Sequence, residues 1–91
     1  MSDLSIPSQP NSSTYCFTDL QGQYLAFIHS YTKLHRIAPA ELDLERHFGV
    51  TPPTVHRLVL ELQKRGLITR PRHKARSIQL LVPPELLPAL R

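Results

Sequence analysis

This 91-residue chain predicts an α+β domain: three helices followed by a C-terminal β-hairpin. Three observations carry that expectation. Apolar residues recur at helical spacing in three successive blocks, each with start or stop signals beside it. A short period-two pattern follows the third block. The segment that joins the two strands is crowded with basic side chains.

Residues 1 to 16 are rich in Ser, Pro, Gln and Asn and read as a flexible arm. Thr18 followed by Gln21 has the form of a capping box, which starts a helix at Asp19 and carries it to about Leu34. Leu20, Tyr24, Phe27, Ile28 and Tyr31 form its apolar face. Gly22 weakens its first turn by roughly 1 kcal/mol relative to Ala. Ile37, Ala38 and Pro39 make an extended link with room for a minimal strand. A short second helix follows, with Glu41 and Asp43 in the first turn where the dipole favours negative charge. Its apolar residues are Leu42, Leu44 and Phe48, and Gly49 turns the chain after it.

Thr51 is a favourable N-cap for the third helix, and Pro52 occupies the first helical position, where its missing N–H costs little. Val55, Leu58, Val59 and Leu62 mark the buried face. Lys64 and Arg65 complement the helix end, and Gly66 closes it. Leu67 to Thr69 begin a strand, Pro71 to Arg76 form the turn, and Ser77 to Val82 form the partner strand. Ile78 and Leu80 alternate with Gln79, the pattern of a half-buried strand. The tail after Val82 reads as a short helical turn or a mobile end. The expected organisation is therefore an arm at 1–16, one folded domain at 17–82 and a tail at 83–91.

Composition excludes several function classes. A chain this short buries roughly 60% of its unfolded surface, enough for one core and no elaborate active site. A hydrophobic fraction of 41% is too high for wholesale disorder. No apolar run approaches the roughly 20 residues that cross a bilayer. The first residues lack the basic and apolar segments of a signal peptide. A lone cysteine, Cys16, excludes an internal disulfide and fits a reducing cytosol. His29, His35, His47, His56 and His73 are scattered without metal-ligand spacing, so neither a metal, a cofactor nor a small-molecule ligand is expected. Cys16 has no neighbour that marks a nucleophile. An enzyme is not expected.

Charge is unevenly distributed. Met1 to Val55 carry three Lys/Arg against five Asp/Glu, net −2, whereas His56 to Arg76 carry seven Lys/Arg against Glu61 alone, net +6. A patch of this kind attracts polyanions, either nucleic acid or an anionic membrane, and its plain alternative is a solvated face. Here it coincides with a helix entered through a tight turn and followed by a cationic hairpin, the order of a winged helix-turn-helix, in which the helix enters the major groove of DNA.

With Val55, Leu58, Val59 and Leu62 inward, Pro53, Thr54, His56 and Arg57 point outward. Arg57 suits a bidentate contact to guanine, with an i,i+4 pair to Glu61 as its structural alternative. Thr54 offers a methyl to thymine or a hydroxyl to a base or phosphate, and His56 can donate to either. Thr51 and the helix N-terminus suit a phosphate. Lys64 adds a backbone contact or simply solvates the helix. Arg70, Arg72, His73, Lys74 and Arg76 crowd the wing, where like charges are tolerable against a phosphate backbone or a narrow minor groove.

The stretch from about Phe17 to Leu81 resembles the winged helix-turn-helix DNA-binding domain of the LexA repressor family. The similarity is carried by the Thr18-Asp19-Leu20-Gln21 helix start with Phe27-Ile28 after it, the Gly49 turn and Thr51-Pro52 opening the third helix. It continues through Lys64-Arg65-Gly66-Leu67-Ile68 and Ala75-Arg76-Ser77-Ile78. The MarR-type winged helix is similar over Val50 to Thr69. The resemblance implies that the start of the third helix reads bases, which carries over to Pro53, Thr54, His56 and Arg57, and that the wing touches the backbone. Glu45 departs from the small residue usual where the two helices of the motif meet. The reading-face residues differ from those of the SOS repressor, so its operator is not implied. The 91 residues hold no Ala-Gly cleavage site and no room for a Ser–Lys dyad, so a stand-alone module without the self-cleaving domain is expected.

The expected function is sequence-specific binding of double-stranded DNA by a cytoplasmic, nucleoid-associated, repressor-like transcription regulator, with a homodimer as the way to enlarge its footprint. Two other readings stand beside it: a winged-helix module for protein–protein contact, and an architectural accessory protein of a mobile element.

Overall fold

Thr18 and Gln21 start the first helix by satisfying each other's backbone. The Gln21 N–H donates to Thr18 Oγ1 at 3.1 Å, and the Thr18 N–H donates to Gln21 Oε1 at 2.9 Å. Helix α1 then runs Asp19–His35. The computed structural model describes residues 15–71 and 74–91, so Arg72, His73 and residues 1–14 of the expected arm lie outside the described residues. Helix α2 is Glu41–Phe48, helix α3 Pro52–Lys64, strand β1 Ile68–Thr69 and strand β2 Gln79–Leu80. The three helices and antiparallel hairpin are the predicted α+β winged helix.

The core is one cluster to which every element contributes. Tyr24, Leu25 and Ile28 come from α1, Leu44 from α2, and Val55, Val59 and Leu62 from α3, while Leu67, Ile68, Ile78 and Val82 come from the hairpin. Leu20 and Leu42 do not join it, contrary to their predicted places on apolar faces, and both stand about half exposed. On α1 burial runs all the way round from Gln21 to Ala26, so Gln21, Gln23 and Leu25 are buried beside Tyr24 and Ile28. Tyr24 stacks on Phe48 with ring centroids 4.1 Å apart and planes 8° from parallel, which ties α1 to the end of α2.

The buried amides of α1 have a physical cause. Gln23 Nε2 donates to the Ala89 carbonyl, and Gln23 Oε1 accepts from the Arg91 N–H, both at 2.9 Å. The tail, expected as a helical turn or a mobile end, forms a 3-10 turn at Pro84–Leu86 and returns to α1. Gly22 makes room for it: a Cβ there would lie 3.0 Å from both Phe17 Cε1 and Pro88 Cγ.

Between α2 and α3 the turn is Gly49-Val50-Thr51, with Gly49 in the left-handed region at φ 65°. The N–H groups of Gly49 and Val50 both return to the Glu45 carbonyl, at 2.8 and 3.2 Å. Thr51 precedes α3 in extended conformation, but its side chain makes no cap bond to the helix, contrary to expectation. Its hydroxyl instead meets that of Thr54 at 2.9 Å.

The hairpin is shorter than predicted. Ile68 pairs with Leu80 and Thr69 with Gln79. The Leu81 N–H adds a bond to the Leu67 carbonyl at 3.0 Å. Ser77, expected to begin the second strand, is drawn into the wing turn instead, where its hydroxyl donates to the Lys74 carbonyl at 2.6 Å. The link at 37–39 forms no strand; Ala38 and Pro39 are buried in it and Ile37 is not.

Candidate nucleic-acid interface

Apolar spacing fixes which side of α3 is free. Val55, Val59 and Leu62 are fully buried and Leu58 is half-buried, so Pro53, His56, Arg57, Leu60 and Lys64 face outward. Pro52 and Pro53 occupy the first turn, where they remove N–H groups that have no intrahelical partner anyway. Thr51, Pro53, Thr54, His56 and Arg57 are thus gathered at one helix end. Leu60 on the same face was not singled out by sequence reasoning.

Arg57 is exposed and makes no ion pair among the described residues. The alternative pair between Arg57 and Glu61 does not form. Glu61 instead takes Arg65 Nε on its Oε2 at 2.7 Å, one turn further along α3. Arg57 therefore keeps its fork of donors for an outside acceptor.

The wing divides into held and free charges. Arg70 Nη1 donates to Glu41 Oε2 of α2. Arg76 donates from Nη1 to Asp43 Oδ2 at 3.0 Å and to the Tyr31 hydroxyl at 3.2 Å. Arg76 achieves this from the left-handed region, at φ 51°, unusual for a side chain larger than glycine. Lys74 is exposed at the turn and forms no ion pair among the described residues. Arg72 and His73 lie outside the described residues. Two of the arginines that sequence reasoning aimed at DNA thus first serve to dock the wing onto α2.

Asp43 is the anchor of that docking. It accepts the Ala40 N–H at 2.8 Å and so satisfies the backbone donor of the residue that opens α2. That backbone bond, with the Arg76 charge beside it, holds the Asp43 carboxyl below its ordinary range. Glu41, two residues earlier on α2, touches both halves of the candidate face: its Oε2 meets His56 Nδ1 at 3.3 Å as well as Arg70. Sequence reasoning assigned Glu41 to the helix dipole alone; its partners lie 15 and 29 residues away, beyond any local pattern.

The described residues hold no cluster of metal-binding side chains, and none of their helices is long and apolar enough to cross a membrane. The arrangement is a helix end presenting an arginine, a histidine and hydroxyls, together with a turn presenting a lysine. It can bind a polyanion at the wing and hydrogen-bond acceptors at the helix.

No protein-family model matches the chain. Among curated proteins it is similar to the LexA repressor of Thermosipho africanus (strain TCF52B), 41% identical over 68 residues, covering 75% of this chain and 34% of that protein. It is also 38% identical to the LexA repressor of Thermosipho melanesiensis over 64 residues, 70% of this chain and 32% of that protein. The chain therefore spans about a third of the length of the curated relatives it matches. With three helices, a Gly-turned helix pair and a hairpin wing in the order that this similarity implies, the chain carries a winged helix-turn-helix domain of the LexA repressor family.

Proposed function

We propose that the chain is a repressor-like regulator of transcription that binds double-stranded DNA sequence-specifically. Helix α3 enters the major groove by its N-terminal end, and the wing lies along the phosphate backbone. The observation that carries this reading is Arg57, without an ion pair among the described residues, on the outward face of a helix whose other face is locked in the core. Arg57 reads guanine through O6 and N7, Thr54 and His56 contact neighbouring bases or phosphates, and Thr51 with the helix N-terminus takes a phosphate. Pro53 packs against the groove wall. Lys64 and Lys74 contact phosphate, as do Arg72 and His73. Arg76 sets the wing's position from Asp43.

The similarity to proteins named LexA repressors supports the same reading, and neither an enzyme nor a protein-docking module is favoured. One such module covers a small footprint, so tight binding calls for two copies on a two-fold site. The test is a titration of labelled duplex with wild-type protein and with Arg57→Ala and Lys74→Ala. Arg57→Ala weakens binding at a preferred site by about 1–3 kcal/mol and relaxes preference at one position. Lys74→Ala weakens all sequences alike and lowers the salt slope by about 0.9. If Arg57→Ala leaves sequence preference intact, base reading does not reside in Arg57.

A further inference from the structure

Glu41 is a carboxylate set against the face that the proposed function assigns to a polyanion. Its Oε2 is shared by two cations or potential cations from different elements, His56 on α3 and Arg70 on the wing. The Glu41 and Arg70 side chains are only 28% and 26% exposed, so this contact is seated between α2 and the hairpin and is not a loose surface pair. His56 is 56% exposed, with only its Nδ1 edge committed.

We propose that Glu41 is a specificity-determining positioning residue: it withholds Arg70 and His56 from unselective phosphate contact and fixes the His56 ring for base reading. The inference rests on the DNA-binding function proposed above. Two physical consequences support it. Any approach that recruits Arg70 to a phosphate must first break its pair with Glu41, so that arginine adds little to non-specific affinity. A carboxylate only accepts, so Nδ1 of His56 must be the protonated nitrogen, and in the neutral ring Nε2 is then an acceptor. An outward acceptor suits the exocyclic amine of adenine or cytosine and disfavours guanine O6.

The test compares wild type, Glu41→Gln, Arg70→Ala and the double variant in salt titrations against random-sequence duplex and against the best site selected by the wild type. Melting temperatures verify folding. Removing one opposing charge steepens the salt slope by about 0.9, which at about 0.1 M salt is roughly an eightfold gain on random duplex relative to 1 M. The preferred site gains less, so the ratio of preferred to random binding falls. In the Arg70→Ala background the same Glu41→Gln change gains little, because the cation that it frees is gone. Arg70→Ala alone leaves the slope on random duplex unchanged.

A Glu41→Gln slope equal to wild type overturns the proposal. So does a gain that persists in full without Arg70, which would make Glu41 a generic surface charge. An Arg70→Ala variant whose slope drops by about 0.9 overturns it independently, since Arg70 would then already be on phosphate. Absence of duplex binding by the wild type removes the proposed function and this inference with it, whereas binding that is indifferent to Glu41 removes the inference alone.

Discussion

Replacing Asp43 by Asn isolates the charge that docks the wing. Asn retains an oxygen for the Ala40 N–H, now held by the carboxylate at 2.8 Å, but loses the charge that faces Arg76 at 3.0 Å. Negative charge in the first helical turn contributes about 0.3–1 kcal/mol. The Arg76 pair adds little to this, because the arginine is well exposed and screened by water. The expected loss is therefore up to about 1 kcal/mol, a drop of several degrees in melting temperature for a domain of this size. The sign with pH follows from the lowered carboxyl. An acid whose folded pKa lies below its unfolded value stabilises the fold at pH above the unfolded pKa, and that stability is lost as pH falls through the folded pKa. Thermal melts of both proteins from neutral to strongly acid pH should thus show a gap that is full at neutral pH, starts to close near the ordinary carboxylate range and vanishes below the folded pKa. Equal melting temperatures at neutral pH, or a gap that survives when both side chains are neutral, would refute the assignment of Asp43 as a charged anchor.

Other perturbations test the rest of the fold. Gly22→Ala gains about 1 kcal/mol of helix propensity but forces a Cβ between the Phe17 and Pro88 rings, an overpacking cost of about 1–3 kcal/mol, so denaturant melts should show a net loss. A stabilised Gly22→Ala protein would mean that the tail does not rest against α1. The Tyr24 hydroxyl is buried without a hydrogen-bond partner among the described residues, so Tyr24→Phe should leave stability unchanged or raise it by about 1 kcal/mol; a clear loss would reveal a partner for that hydroxyl. Arg57→Ala should change stability by no more than about 0.5 kcal/mol while weakening DNA binding, because Arg57 is exposed and makes no ion pair among the described residues. Destabilisation by that change would place Arg57 in the structure and not on the reading face.

What the sequence disclosed was local, and what it hid was distant. Thr18 and Gln21 stand three residues apart, so their reciprocal cap could be read directly. Gly49 and the Pro52 start were equally plain, since backbone conformation at these positions depends on the residue itself. Spacing also identified Val55, Val59 and Leu62 as the core side of α3. It did less well on α1, where Leu20 looked apolar enough to bury and Gln23 did not. The tail reverses that order by bringing the Ala89 carbonyl and the Arg91 N–H to the Gln23 amide, 66 and 68 residues along the chain. The site divides in the same way. Outward residues of α3 followed from periodicity, but nothing near Arg70 or Arg76 indicated that Glu41 and Asp43 would hold them, because ion pairs 29 and 33 residues apart leave no periodic trace.

Everything proposed for the DNA interface depends on α3 reading base sequence. Incubating the protein with a random-sequence duplex pool at several salt concentrations and sequencing what is retained tests it most directly. The expected result is an enriched motif with two-fold symmetry, its half-sites about one helical turn apart, and a guanine position whose enrichment disappears in Arg57→Ala. Retention without any motif, lost steeply with salt, would contradict it, as would no retention at low salt.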